Sequence, residues 1–234
     1  MKIFSRAFQE IKNALYKLRA RFSHISGSVQ YDVPYVCQFA TPASAELSLT
    51  KKLAPVDDPH WEKTGAKSPE RYAQWAFTMC GMASAAMALG HFKNLQVKPA
   101  ELAEDALRHG VYIETPDDIS SMRYVEFAEW IRGYGLQAEV YSRLSVMGIR
   151  YALSRRKLVI VSVNPNIRGY DTAPKSQKGG HLVLVTGYNI DKNTIAINNP
   201  SGFVNSNTQI HHTLPMKEFA KYYAGRGIVI SNLL

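Results

Sequence analysis

The order of helical and strand-like segments is the feature that most constrains the fold of this chain. Small and apolar residues at helical spacing predict helices over residues 79–92, 99–109, 121–133 and 145–156. Runs dense in Val and Ile predict strands over residues 158–163, 181–190, 194–197 and 227–230. Helices that precede strands are typical of the α+β class, whereas βαβ proteins alternate the two. We therefore expect an α+β fold, and 234 residues are ample for a buried core.

Residues 1–30 differ from the rest of the chain. An apolar stripe at spacings of three and four predicts a helix over residues 3–22, formed by Phe4, Phe8, Ile11, Leu15, Leu18 and Phe22. Six basic residues against Glu10 alone give this segment +5 of the total charge of +9. A linker with Ser and Gly follows, so we predict an N-terminal helix and linker at 1–30 and a main domain at 31–234. The helix either packs on its own domain or binds an anionic membrane surface or a partner.

Composition excludes several classes of function. Outside the first segment the charge is unremarkable and no basic stripe interleaves with aromatic residues, so we expect no nucleic-acid partner. Two cysteines make no disulfide framework, and the absence of CxxC and HExxH motifs argues against a metal. No run of eighteen apolar residues and no signal-like apolar region occurs. We expect a cytoplasmic protein, with a peripheral membrane position left open by the first helix.

Cys80 is the first residue with predicted chemistry. It lies in the sequence WAFTMCGMASAAM, where a loop enters a helix of small residues. Backbone N–H groups at a helix N-terminus stabilise a thiolate, and Gly81 leaves space for a substrate carbonyl. The alternative is a structural cysteine, because free cysteines are among the most buried residues.

His181 and Asn199 complete a pattern typical of thiol catalysis. His181 opens an apolar strand directly after two glycines, where a general base can be held rigidly, although a histidine there can also simply cap a strand. Asn199, at the end of the next strand, can accept a hydrogen bond from the imidazole, and its Asn-Pro sequence also indicates a turn. Upstream, Gln38 can donate an N–H to a developing oxyanion, while we interpret the adjacent Cys37 as packing.

The same segments carry a resemblance to a known family. The chain resembles the papain-like cysteine peptidases related to the double-glycine leader peptidases of bacteriocin exporters, and in particular their stand-alone soluble bacterial relatives. The matching segments are VPYVCQF, DPHWEKTGAKSPERYAQWAFTMCGMASAAMAL, GGHLVLVTGYN, NNPSGF and FAKYYAGRGIVI. Residues 1–30 fall outside the resemblance. The exporter's membrane and ATPase domains have no counterpart, so leader cleavage during export does not carry over.

The resemblance implies a papain-like fold, in which a helical lobe carrying the nucleophile packs on an antiparallel sheet carrying His and Asn. It implies Cys80 as nucleophile, His181 as base, Asn199 as orienting residue and Gln38 as oxyanion donor, with no cofactor. The expected activity is hydrolysis of a peptide or protein substrate through a thioester. The alternatives are an inactive peptidase-like binding protein, and an acyltransferase or amidase that uses the same residues.

Overall fold

The computed structural model describes residues 2–116, 118–171 and 173–233, with side chains from Ala7 onward. Within them the α-helices are α1 (Lys2–Phe22), α2 (Pro42–Leu49), α3 (Pro69–Ala76), α4 (Cys80–Lys93), α5 (Pro99–Arg108), α6 (Tyr124–Trp130), α7 (Val146–Ser154) and α8 (Met216–Tyr222). Short 3-10 helices lie at Pro55–Asp57, Trp61–Thr64, Ile131–Tyr134 and Pro165–Arg168. None of the described helices is long and apolar enough to cross a membrane.

The strands of the described residues form one antiparallel sheet. They are β1 (Ser28–Gln30), β2 (Leu136–Tyr141), β3 (Leu158–Val163), β4 (His181–Asn189), β5 (Thr194–Asn198), β6 (His212–Pro215) and β7 (Tyr223–Asn232). Their order across the sheet is β2-β7-β3-β4-β5-β6, and β1 pairs with β4 off this path. β3 pairs with the first half of β4 and β1 with its second half, so these two strands follow one another along the same edge of β4.

The centre of the sheet explains why its sequence is so apolar. Every residue of β3 is buried, and so are the first eight of the nine residues of β4. A strand covered on both faces has to be apolar along its whole length, which produces a continuous run rather than an alternating one. Helices α4 and α7 both contact β3 and β4. A helical lobe therefore packs on an antiparallel sheet, and the predicted α+β class is confirmed.

Most predicted elements are present, and several further elements were not indicated by the sequence. β3 has the predicted bounds, and α3 begins after Ser68, whose hydroxyl accepts the N–H of Arg71 at 3.2 Å. The elements α2, α8, β1, β2 and β6 were not predicted. β2 is as long as the predicted β3, but only some of its residues are buried, so it lacks the apolar run that indicated β3.

Helix α1 packs on β2 and α7, but through a different face from the apolar one. Asn13 and Ala20 are buried, and the Asn13 amide donates to the Ser142 hydroxyl at 2.9 Å. The Tyr16 ring lies 4.3 Å from the ring of Tyr141, centroid to centroid. The described residues of the predicted apolar stripe point away from the domain and are exposed, and the Phe4 side chain lies outside the described residues.

The junction between the first helix and the rest of the chain differs from the predicted linker. Residues Ser28–Gln30 form β1, and Val29 pairs with Tyr188 of β4. In addition, the backbone N–H of Ile190 donates to the carbonyl of Gly27 at 3.0 Å. The sheet therefore begins within the segment that was assigned to the linker, while the division at residue 30 into two independent parts stays a prediction.

Candidate active site

Cys80 is the first residue of α4, as the sequence predicted. The preceding residue, Met79, makes no capping hydrogen bond with its side chain, so no side chain competes for the first N–H groups of the helix. The helix can approach the sheet closely because its buried part, from Cys80 to Leu89, consists largely of Ala, Gly and Met. This packing holds the thiol rigidly beside the start of β4.

Gly81 serves packing rather than substrate entry. A Cβ atom at Gly81 would lie 2.5 Å from the sulfur of Met122 and 3.1 Å from a terminal carbon of Leu182. Both distances are shorter than ordinary van der Waals contact. The expectation that Gly81 leaves space for a substrate carbonyl is therefore wrong, because neighbouring side chains occupy that space.

His181 is the first residue of β4, and its ring is held by Asn199. Nε2 of His181 lies 2.8 Å from Oδ1 of Asn199, which is buried at the end of β5. The same Oδ1 accepts the backbone N–H of Ser201 at 3.2 Å. Because Oδ1 is a carbonyl oxygen and can only accept, His181 must donate to it, so the neutral imidazole carries its hydrogen on Nε2. Nδ1 then keeps a lone pair and can act as a base.

Two further residues, Ser201 and Arg168, lie close to this imidazole, and neither was predicted as a site residue. The hydroxyl of Ser201 lies 3.1 Å from Nε2 of His181 and accepts the Nε–H of Arg168 at 2.8 Å. Arg168 is 6% exposed, and burial lowers the pKa of its guanidinium to about 10, so it remains cationic at neutral pH. Ser201 was part of the NNPSGF motif, but nothing in the sequence singles out Arg168 within its long polar loop.

Cys80 and His181 line the same cleft, which has a volume of about 600 Å³. Ser162 of β3, Leu182 of β4 and Arg226 of β7 form its sheet side. The opposite side is apolar and aromatic at several positions and includes Phe77, Ile119, Met122 and Tyr124. In the part of the chain that the structure describes, no group of three or more His, Cys, Asp or Glu side chains could hold a metal ion.

The cleft environment makes the resting pair neutral. Burial raises the pKa of the Cys80 thiol, opposed by the Leu182 N–H, the Arg168 cation and the first N–H groups of α4. Burial lowers the pKa of His181 well below 6.5, Arg168 lowers it further, and the hydrogen bond to Asn199 opposes both. The sequence predicted that the helix terminus would make the thiol ionise readily. The terminus does favour the thiolate, but burial outweighs it.

Gln38 lies apart from the cleft lining. Its side chain is buried, and Nε2 donates to the carbonyl of Ala76 at 2.8 Å. Because a carbonyl only accepts, the amide orientation is settled by this contact, and Nε2 keeps a second N–H. The structure therefore brings Cys80, His181 and Asn199 together. Any contact between Gln38 and an oxyanion would have to use its second N–H, since the first is bonded to Ala76.

Cys37, interpreted as packing, is a partly buried residue whose thiol donates to backbone carbonyls. Its sulfur lies 3.3 Å from the carbonyl oxygen of Pro200 and 3.5 Å from that of Thr41. Burial of the sulfur raises the pKa of this thiol to about 11. Cys37 does not line the cleft that His181 lines. Cys37 therefore differs from Cys80 in having no candidate base.

The sequence of the chain places it in a known family. The sequence matches the model of the "Peptidase_C39 like family" over residues 68–229, which contain Cys80, His181 and Asn199. The chain belongs to this family. The resemblance described from the sequence is thus confirmed, and the protein is a peptidase relative. No curated protein matches the chain.

Solved structures with a similar fold include domains of transporters. A double-glycine motif protease from an AMS/PCAT transporter, in complex with the leader peptide, is 16% identical with a TM-score of 0.48, over 87% of this chain and 94% of that one. The peptidase domain of Streptococcus ComA, a bi-functional ABC transporter, is 16% identical with a TM-score of 0.45, over 66% and 91%. A C39-like peptidase from Bacillus anthracis is 15% identical with a TM-score of 0.46, over 66% and 88%.

Proposed function

We propose that this protein is a cysteine peptidase that cleaves a peptide or amide bond through a thioester of Cys80. The observation that carries the proposal is the arrangement around His181. Nε2 of its ring is held 2.8 Å from the amide oxygen of Asn199, in a cleft that the thiol of Cys80 also lines. A purely structural histidine needs no cleft, no neighbouring thiol and no tautomer that leaves Nδ1 unprotonated.

The first half of the proposed reaction forms the thioester. Nδ1 of His181 takes the proton of the Cys80 thiol as the sulfur attacks the carbonyl carbon, and the carbonyl π electrons move to oxygen. The N–H of Cys80 stabilises this oxyanion, and the remaining N–H of Gln38 is the second donor that the family resemblance implies. When the electrons return, the C–N bond breaks and the imidazolium protonates the leaving amine, which leaves an acyl group on sulfur.

The second half returns the enzyme to its starting state. His181 takes a proton from water, and the resulting hydroxide attacks the thioester carbon. The C–S bond then breaks, the sulfur regains the proton from the imidazolium, and a carboxylic acid is released. Asn199 keeps the imidazole in the required tautomer throughout, and no metal or cofactor enters any step.

Alkylation and peptide mapping test the thiol–imidazole pair. Brief treatment with iodoacetamide at neutral pH should modify Cys80 before Cys37, because only Cys80 has a base in its cleft. His181→Ala should slow the modification of Cys80 and leave that of Cys37 unchanged. Equal slowing at both cysteines, or no effect at Cys80, would contradict the assignment.

Cleavage of a peptide library, read by mass spectrometry, tests the reaction itself. Native protein should release products that gain one water per cut, and Cys80→Ala should release none, while Cys37→Ser should behave like the native chain. Products joined to an added amine would instead establish acyl transfer. A Cys80 that is alkylated normally but cleaves no peptide or amide would support the inactive binding protein.

A further inference from the structure

The first helix exposes a continuous apolar face that the domain does not use. We define the exposed α1 stripe as Phe8, Ile11, Leu15, Leu18 and Phe22, each more than half exposed and Phe22 the most, at 78%. The opposite face of α1 is buried on the domain through Asn13 and Ala20. Large apolar side chains at such exposure mark an interaction site when they form one contiguous surface.

The packing of α1 fixes this orientation. The Gln9 amide donates to the carbonyl of Val140 at 2.8 Å, and the Tyr16 hydroxyl donates to the carbonyl of Gly148 at 3.2 Å. These contacts turn polar groups of α1 toward the domain, whereas an amphipathic surface helix usually turns its apolar face toward the core. The stripe is therefore presented outward by specific hydrogen bonds.

The charges around the stripe are basic and lack acidic partners. Glu10 pairs with Arg143 at 2.8 Å. In contrast, Lys17, Arg19 and Arg21 are exposed and make no ion pair with any acidic side chain that the structure describes. At 3.6 residues per turn, Arg19 lies beside the stripe on one edge and Arg21 beyond the other edge. The apolar face is thus flanked by cations on both sides.

We propose that the exposed α1 stripe binds an anionic lipid surface, with Lys17, Arg19 and Arg21 against the headgroups. A helix with an apolar face and flanking cations is suited to lie in the plane of such a surface. A second copy of this chain fits less well, because pairing two stripes would bring the same cations of both copies together. Glu10, the acidic residue of α1, is already paired with Arg143. The inference is independent of the peptidase proposal.

Co-sedimentation of the full-length chain with vesicles tests the proposal. We expect binding to phosphatidylcholine vesicles that contain phosphatidylglycerol, and at least about a tenfold weaker binding without the anionic lipid or at high salt. Each basic residue at an anionic surface changes affinity about fivefold, so the K17Q/R19Q/R21Q variant should bind on the order of a hundredfold more weakly.

The apolar contribution is tested with a matched pair of variants. F8S/L15S should weaken binding by about tenfold or more, even at low salt, because apolar burial is not screened. Ile210→Ser is the control, since Ile210 is similarly exposed, at 55%, but lies in a loop far along the chain. All substituted side chains are exposed, and a thermal melt checks that each variant is folded.

Two outcomes would overturn the proposal. If the native chain stays in the supernatant with anionic vesicles at low salt, the stripe does not bind lipid and the proposal is refuted. In that case, sedimentation equilibrium shows whether a second copy covers the stripe: a dimer that F8S/L15S dissociates would assign this face to self-association. Equal vesicle binding by F8S/L15S and native chain would also refute the role of the stripe.

Discussion

The buried cation beside the candidate base should control the ionisation of the site. Arg168 donates to the Ser201 hydroxyl at 2.8 Å, and that oxygen lies 3.1 Å from Nε2 of His181. These distances place the Arg168 nitrogen within about 6 Å of the imidazole. At an effective dielectric constant of about 20, two unit charges at that distance repel by about 3 kcal/mol, or about two pKa units.

Arg168→Met removes this repulsion while roughly keeping the side-chain volume. The pKa of His181 should rise, because a protonated imidazole no longer faces a cation. The pKa of Cys80 should rise as well, because the cation that favours its thiolate is lost. The two shifts have the same sign, so the pH at which Cys80 alkylation reaches half its maximum should move upward.

Two measurements check this prediction: NMR titration of the His181 ring and the pH dependence of Cys80 alkylation. Arg226→Met is the matched control, since Arg226 lines the same cleft but is only partly buried, and solvent screening should make its effect much smaller. Arg168→Lys should keep the native titration. A folded Arg168→Met variant with unchanged midpoints would refute the electrostatic role of Arg168.

Three further predictions follow from the site and from the first helix. The Asn199→Ala variant should be at least about ten times as active a peptidase as the His181→Ala variant, because Asn199 only positions the base. Equal losses in a turnover assay would contradict this. The free energy of unfolding should decrease as the pH is lowered below 6.5, by up to about 1.4 kcal/mol per pH unit. The reason is that the unfolded chain protonates His181 in this range and the folded chain does not. His181→Gln should flatten that part of the denaturation profile, and an unchanged slope would show that other groups cause it. A chain beginning at Gly27, which keeps β1, should unfold cooperatively at a midpoint about 5–10 °C lower, since the α1 contacts with Tyr141 are lost; a non-cooperative melt would make α1 part of the core.

Local pattern was enough to predict much of the fold and the identity of the site. A strand buried on both faces must be apolar throughout, which is why β3 was predicted with its observed bounds. A thiol at the start of a small-residue helix and a histidine after two glycines are also local features. For that reason Cys80, His181 and Asn199 could be named from the sequence, and the structure brings them together.

The environment of the site could not be read from the same patterns. Arg168 lies thirteen positions before His181 in a polar loop, and only the folded chain brings it to Ser201 and the imidazole. Whether burial or the helix terminus decides the pKa of Cys80 depends on how much water the cleft excludes, which is a property of the packed structure.

The first helix separates the two kinds of information most clearly. Its periodicity determined that one face is apolar, because side chains three and four positions apart share a face of any α-helix. The periodicity carries no information about what that face meets. Only the tertiary structure showed that Asn13, Tyr16 and Ala20 contact the domain while the apolar stripe points outward. The choice depends on shape and hydrogen-bond partners supplied by residues more than a hundred positions away in the chain.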